Sequence, residues 1–263
     1  MRPIAPIPTP LDVRLMNVTA ALLFVVVACM ALAASGWWAL RHPLFALTRI
    51  TIEGDVAHNS AATLRANVAP RVAGNFFTVD LARARRAFED IPWVRRAVVR
   101  REFPNRLRVS LQEHHPVALW GAEGGSTLVN SFGEVFEANV GDVELDGLPR
   151  LAGPQDQSAQ ILATYQRLAP LIEGLDLTLD QLTLTGRGSW QAVLDSGARI
   201  EMGRGTPDEV AQRAERFVRT ITQAASRYGR RPEALVSADL RHTDGYAIAL
   251  RGVSTVSADA QKK

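Results

Sequence analysis

The sequence predicts an α+β protein: one N-terminal transmembrane helix, then a soluble portion in which helices mix with short, mainly antiparallel strands. Three observations carry that expectation. Between Arg14 and Arg41, 26 consecutive residues include no Asp, Glu, Lys, Arg or His. After Arg49, several segments alternate apolar and polar residues and stop at glycine or Pro-Asn turns, the period of half-buried strands. Between them lie segments with apolar residues four apart behind capping residues, the pattern of amphipathic helices. A chain of 263 residues has room for one or two folded domains with real cores.

The apolar run is centred on residues 18–40, VTAALLFVVVACMALAASGWWAL. At roughly 1.5 Å per residue such a helix crosses a hydrocarbon layer of about 30 Å. Trp37 and Trp38 stand near its end, where indole rings favour the membrane interface. Two readings compete. Ala31-Leu32-Ala33 fits the small-residue cleavage pattern of a secretory signal. The apolar run continues past that point, however, and the leading segment is proline-rich and weakly basic, which favours an uncleaved anchor. Arg2 and Arg14 on one side and Arg41 and Arg49 on the other leave orientation open by charge.

Beyond the membrane segment, Arg49 to Gly54 alternates and ends on a glycine, a short strand. Asn59 or Ser60 caps a helix through residue 69 with Leu64 and Val68 on one side. A second helix spans residues 80–89, with Leu81, Ala84 and Phe88 together, and Ile91-Pro92 ends it. Residues 97–103 and 106–113 then form an antiparallel hairpin about Pro104-Asn105. Leu107, Val109 and Leu111 face inward; Arg96, Val98, Arg100, Arg106 and Arg108 lie on a wet face. This yields strand, helix, helix, strand, strand.

The remainder is richer in strands. Residues 126–129 and 134–136 flank Asn130-Ser131-Phe132-Gly133, a hairpin, and a helix over residues 155–172 presents Ile161, Leu162, Tyr165 and Leu168. Residues 190–194 and 198–202 form a hairpin about Asp195-Ser196-Gly197. Thr206-Pro207-Asp208-Glu209 is a helix start with a capping box, followed by Val210, Ala214, Phe217, Val218 and Ile221 at helical spacing. Residues 234–240 and 246–250 pair around Thr243-Asp244-Gly245. In this last hairpin Val236, Ala238 and Leu240 alternate with polar residues, and Tyr246, Ile248 and Leu250 alternate with alanines. A final strand on a sheet edge invites a partner's strand, although a tail and Arg251 could equally guard it.

Chemistry is harder to find. No nucleophile elbow, zinc-protease helix or phosphate loop is present, and Gly186-Arg187-Gly188 and Gly203-Arg204-Gly205 are too short for dinucleotide binding. His114 and His115 are adjacent on a predicted strand end, so their rings point apart and make a poor metal pair. The sequence thus points to no catalytic residue, metal or cofactor. The formal charge is only +3 and the only lysines are Lys262 and Lys263, so the arginine richness reads as composition rather than as a nucleic-acid surface. Cys29, the single cysteine, says nothing about redox compartment.

The assembled order resembles the FtsQ/DivIB family of bacterial cell-division proteins. Residues 45–54 (FALTRITIEG) after the membrane helix are similar to the start of that family's POTRA domain, a β-α-α-β-β module, and Gly74-Asn75-Phe76-Phe77, Ile91-Pro92-Trp93-Val94, residues 97–101 and residues 103–107 to its continuation. Residues 128–136 (LVNSFGEVF), residues 148–154 (LPRLAGP) and Asp239-Leu240-Arg241 resemble the family's second, β domain. The likeness runs from about residue 17 to 251.

That resemblance implies a cytoplasmic arm over residues 1–17, a span over 18–40, a POTRA domain over 47–117, a mixed β domain with flanking helices over 118–251 and a flexible tail over 252–263. It implies a non-enzymatic, single-pass protein of the bacterial inner membrane with its N-terminus cytoplasmic and its body periplasmic at the septum, which removes nucleic acid from the partners. The implied partners are FtsB and FtsL, with FtsK, FtsW and FtsI beyond them. FtsB is expected to add a strand at the last hairpin, here Val236, Asp239, Leu240, Arg241, His242, Asp244, Gly245, Tyr246, Ile248 and Leu250. His242 and Leu250 stand where better-known members carry a tyrosine and a tryptophan. Arg96, Val98, Arg100, Arg106 and Arg108 form a possible second docking face. The alternatives are a POTRA-type polypeptide-binding module in envelope secretion or assembly and an exported enzyme.

Overall fold

A computed structural model describes residues 10–54, 56–58, 60–72, 74–139, 141, 147–242 and 244–254. Most of the expected N-terminal arm and C-terminal tail, with Asn59 and Thr243, falls outside the described residues. The chain divides into two compact units, Met1–Glu113 and His114–Lys263.

The first unit opens with helix α1, Leu11–Arg41. Within Leu11–Ala39 an 18-residue window reaches a mean hydropathy of 2.5 and is unburied by the rest of the chain, so the helix is long and apolar enough to cross a membrane. The helix starts at Leu11 rather than at residue 18. Pro10, at φ −53° and ψ 150°, ends the extended entry, and Leu11, Arg14, Leu15 and Met16, none branched at Cβ, are good helix formers before the apolar run begins.

Strand β1 (Arg49–Gly54), helices α2 (Ala61–Val68) and α3 (Leu81–Glu89), and strands β2 (Val94–Glu102) and β3 (Arg106–Glu113) follow, in the expected order. The sheet order is β1-β3-β2, with β1 parallel to β3 and β2 antiparallel to it. Leu64, Val68, Ala87, Phe88, Val94, Ala97, Val109 and Leu111 pack as its core. Asp80 caps α3, accepting from Ala82 N at 2.9 Å and Arg83 N at 3.0 Å, and the bond from Arg83 holds its carboxyl below the usual range. One interaction has no periodic signature in the sequence. Glu113 is buried at the end of β3, where His58 donates its backbone N–H at 2.9 Å and brings its ring Nδ1 to 3.1 Å. That imidazole stacks on the buried Trp93 with ring centres 3.9 Å apart. A buried carboxylate needs such partners, and these lie 55 positions away.

The second unit holds β4 (Pro116–Trp120), β5 (Thr127–Asn130), β6 (Val135–Glu137), β7 (Arg150–Ala152), helix α4 (Ser158–Glu173), β8 (Leu179–Leu184), β9 (Ser189–Leu194), β10 (Arg199–Arg204), helix α5 (Pro207–Ser226), β11 (Leu235–Asp239) and β12 (Ala247–Leu250). They form one sheet in the order β12-β11-β10-β9-β8-β7-β4-β5-β6. The two helices bury Ile161, Leu168, Val210, Phe217 and Ile221 against Leu151, Leu182, Trp190, Ile200 and Ala238 of the sheet. Each fully buried large apolar side chain contributes about 1.5–3 kcal/mol of burial. Strands β4, β7 and β8 were not expected. Strand β7 is three residues long, and in β8 a register shift between Leu179 and Gln181 breaks the alternation that would have revealed it.

The turn after β5 is held by Asn130, whose Oδ1 accepts from Phe132 N and Glu134 N, both at 2.9 Å. Gly133 there has φ +78°, and a Cβ on it would sit 2.4 Å from Ala159 Cα, so only glycine lets the turn reach α4. His114 is half-buried and stacks on Phe136 at 4.1 Å, while His115 is exposed, so the two rings do point apart.

Trp190 is 1% exposed and its Nε1 donates to Gly205 O at 3.2 Å. Trp190→Ala is expected to cost about 3–5 kcal/mol through the cavity it leaves. A lowered urea midpoint with an unchanged slope measures it.

A candidate partner-binding edge

The last hairpin owes its position to α5. Thr206 Oγ1 accepts from Glu209 N at 3.3 Å and Glu209 Oε2 accepts from Thr206 N at 2.9 Å, the reciprocal box expected from the sequence. The helix then runs under the sheet with Phe217 fully buried. The Tyr246 ring meets Phe217 edge-on at 5.1 Å, and its hydroxyl lies 2.8 Å from Thr220 Oγ1. Strand β11 is parallel to β10 and antiparallel to β12. No other described strand pairs with β12, which is therefore the sheet's margin, and alternate backbone N–H and C=O groups along Ala247–Leu250 face away from β11.

The side chains named from the sequence divide into two sets. Leu240 and Leu250 are buried in the core, so their side chains hold the hairpin in place. Tyr246 and Ile248 are half-buried, while His242, Asp244 and Gly245 are exposed. Val236 does not join Ala238 and Leu240 in the core but stays 47% exposed, because the pairing of β11 with β12 shifts between Leu235 and Ser237. Beside Tyr246, a groove of about 480 Å³ is lined by Thr220, Gln223, Arg227, Tyr228 and Ile248 among others.

Asp239 and Arg241 form a two-toothed ion pair. Arg241 Nε donates to Oδ1 at 2.9 Å and Nη2 to Oδ2 at 2.5 Å. These hydrogen bonds from Arg241 hold the Asp239 carboxyl at a pKa of about 2. The arginine also closes one side of a groove of about 670 Å³ whose other walls carry Arg187, Arg204 and Arg213 with Thr185, Ser189 and Gln191. Arg213 is engaged by the carbonyls of Met202 and Arg204. Arg187 and Arg204 have no partner among the described residues. Gly203, at φ +77°, makes the convergence possible: a Cβ there would lie 2.8 Å from Arg241 Cγ. Sequence reading set this groove aside, because Gly-Arg-Gly twice looked only like turns; the pairing of β9 with β10 brings the two together.

The possible second face lies in the first unit. Arg96, Val98 and Arg100 of β2 and Arg106 and Arg108 of β3 are all exposed on one side of the sheet, with Arg100 opposite Arg108. Arg108 is bound to Glu102 at 2.7 Å and Glu53 at 3.4 Å. Arg96, Arg100 and Arg106 have no partner among the described residues.

Two family models match in the order of the two units: the POTRA domain of FtsQ type over residues 45–114 and the C-terminal part of cell division protein FtsQ/DivIB over residues 118–241. The curated relatives include cell division protein FtsQ of Thiomonas arsenitoxydans, 40% identical over 95% of this chain and 91% of the relative. The chain belongs to the FtsQ/DivIB family. FtsQ of Burkholderia pseudomallei is 38% identical over 92% of this chain and 94% of its own, and that of Bordetella pertussis 37% over 91% and 92%. This FtsQ/DivIB member is thus a cell-division protein with a POTRA domain and one N-terminal apolar helix that fits a membrane span. The match ends at Arg241, so β12 is located by the sheet and not by the family model.

Because the Asp239 pKa is lowered on folding, its contribution to stability is complete above the unfolded value near 3.8 and is lost as pH falls through about 2. The stability difference between the wild type and Asp239→Asn is expected to be present at pH 5 and to shrink below pH 4. Thermal unfolding across that range reads it.

Proposed function

We propose that this protein is a non-enzymatic scaffold of the divisome that holds FtsB by strand addition along β12, together with FtsL, and so links early division components to septal peptidoglycan synthesis. The observation that supports this most is the terminal position of β12, an unpaired margin among the described residues. Backbone bonds would supply most of the attachment, with the groove beside Tyr246 and Ile248 taking a guest side chain. The Arg187 and Arg204 groove favours carboxylates on the same guest. In this reading the N-terminus is cytoplasmic and two domains, residues 47–117 and 118–251, stand in the periplasm at the septum. The arginine face of β2 and β3 is a docking surface for further partners such as FtsK, FtsW or FtsI.

Photo-cross-linkers at the exposed Ala247 and Ala249 in living cells are expected to trap FtsB. Cross-links to other proteins alone, with FtsB present, sink the proposal. Arg187→Glu combined with Arg204→Glu is expected to weaken FtsB binding by about tenfold or more, equivalent to about 1.4 kcal/mol, without changing the melting temperature. Depletion of the protein should give filamentous cells with separated chromosomes; normal division after complete loss removes the role.

A further inference from the structure

Three segments far apart in sequence gather where the first unit adjoins α1. The chain leaves α1 at Arg41, forms a 3-10 turn over Pro43–Phe45 and reaches β1. Phe76 N donates to Phe45 O at 2.8 Å, and Ala46 bridges Asn75. Thr48 N donates to Asn105 O at 3.0 Å, which brings in the turn between β2 and β3. The rings of Phe45 and Phe77 meet at 4.9 Å, Phe76 and Phe77 at 5.2 Å, and Phe76 and Phe103 at 5.9 Å.

This cluster is not a core. Leu44 is 68%, Phe77 46% and Phe103 72% exposed. Single exposed apolar residues need no explanation, but a contiguous group marks a contact surface. Within residues 41–52, 74–79 and 103–107 the charged side chains are Arg41, Arg49 and Arg106; of the flanking acids, Glu102 opposite Arg106 is bound by Arg108 at 2.7 Å and Asp80 is taken up by the α3 N-terminus. Arg49 and Arg106 are register partners at the same end of β1 and β3 and have no partner among the described residues. Phe45 lies four residues from the end of α1, at most about 14 Å along an extended chain, and Arg41 itself sits 4.0 Å over the Trp37 ring. A surface tied that closely to a membrane span, aromatic at its centre and cationic at its rim, has the chemistry of an anionic bilayer interface.

We propose that this end of the first unit rests on the membrane, with Phe77, Phe103 and Leu44 entering the headgroup boundary and Arg49 and Arg106 meeting anionic headgroups. The inference rests on α1 being a membrane span. The POTRA body would then be held at the bilayer by two attachments rather than swinging from one.

The full chain in nanodiscs of phosphatidylethanolamine and phosphatidylglycerol tests it, with no other protein present. An environment-sensitive fluorophore is attached at Phe103→Cys or at Ser110→Cys, each with Cys29→Ala, and at Cys29 of the otherwise native chain. Shallow spin-labelled lipid is expected to quench the probe at 103 by about half, and that at 110 hardly at all. Iodide in the buffer should do the reverse. A probe at 103 that behaves like the one at 110, while Cys29 responds to lipid, overturns the proposal and leaves the anchor standing. A Cys29 probe that also ignores lipid removes the anchor and the proposal together. Protection of 103 only after division partners are added also overturns it, since the surface is then protein-binding. With phosphatidylcholine alone, quenching at 103 should fall; an unchanged value overturns the part played by the arginines.

Discussion

Burial of α4 and α5 against one face of the nine-stranded sheet is the constraint on which the second unit depends. Phe217, Ile221 and Val210 can leave water only if β10 and β11 lie over them, and that fixes β11 beside β10 in parallel. The hairpin then has one place left for its last strand, outside β11. Tyr246 ties that strand back to α5 through Phe217 and Thr220, so the margin is held from beneath while no described strand covers its outer side. An open margin is ordinarily a hazard, blunted by brevity, charge or cover. Here it is only four residues long and adjoins Asp239 and Arg241, which suits an edge that accepts a chosen strand and not any strand.

The electrostatics point the same way. Arg241 is neutralised by Asp239, and Arg213 is spent on backbone carbonyls that close the α5 entry. Arg187 and Arg204 have no partner among the described residues, and on the proposed function they are left to a guest. An acidic residue brought to that groove gains charge-assisted bonds without first breaking an internal pair, so it adds selectivity to backbone bonds that carry none. The arginine face of the first unit is less uniform than it reads, because Arg108 is already bound to Glu53 and Glu102.

Much of the fold was legible because it is local. The span, the Thr206 box, the hairpins about Pro104 and Asp195, and the inward Leu107, Val109 and Leu111 each follow from periodicity or turn chemistry within a few residues. The candidate site was legible mainly through resemblance: Asp239-Leu240-Arg241 and the hairpin after it were recognisable, whereas the burial of Leu240 and Leu250 was not used. Strand β8, irregular at Leu179, and the exposed Val236 were missed for one reason, since a register shift erases a period of two.

By itself, the sequence determined the membrane helix, the α+β class and the element order of the first unit, since nearest-neighbour sterics and hydrophobic spacing suffice for these. Only the tertiary structure decided that β12 is outermost among the described strands, that four arginines meet about Gly203, that Glu113 is buried with a histidine 55 positions away, and that three turns place their phenylalanines together. Each of those joins residues that no local pattern relates, and a contact between distant positions is chosen by how the whole core closes.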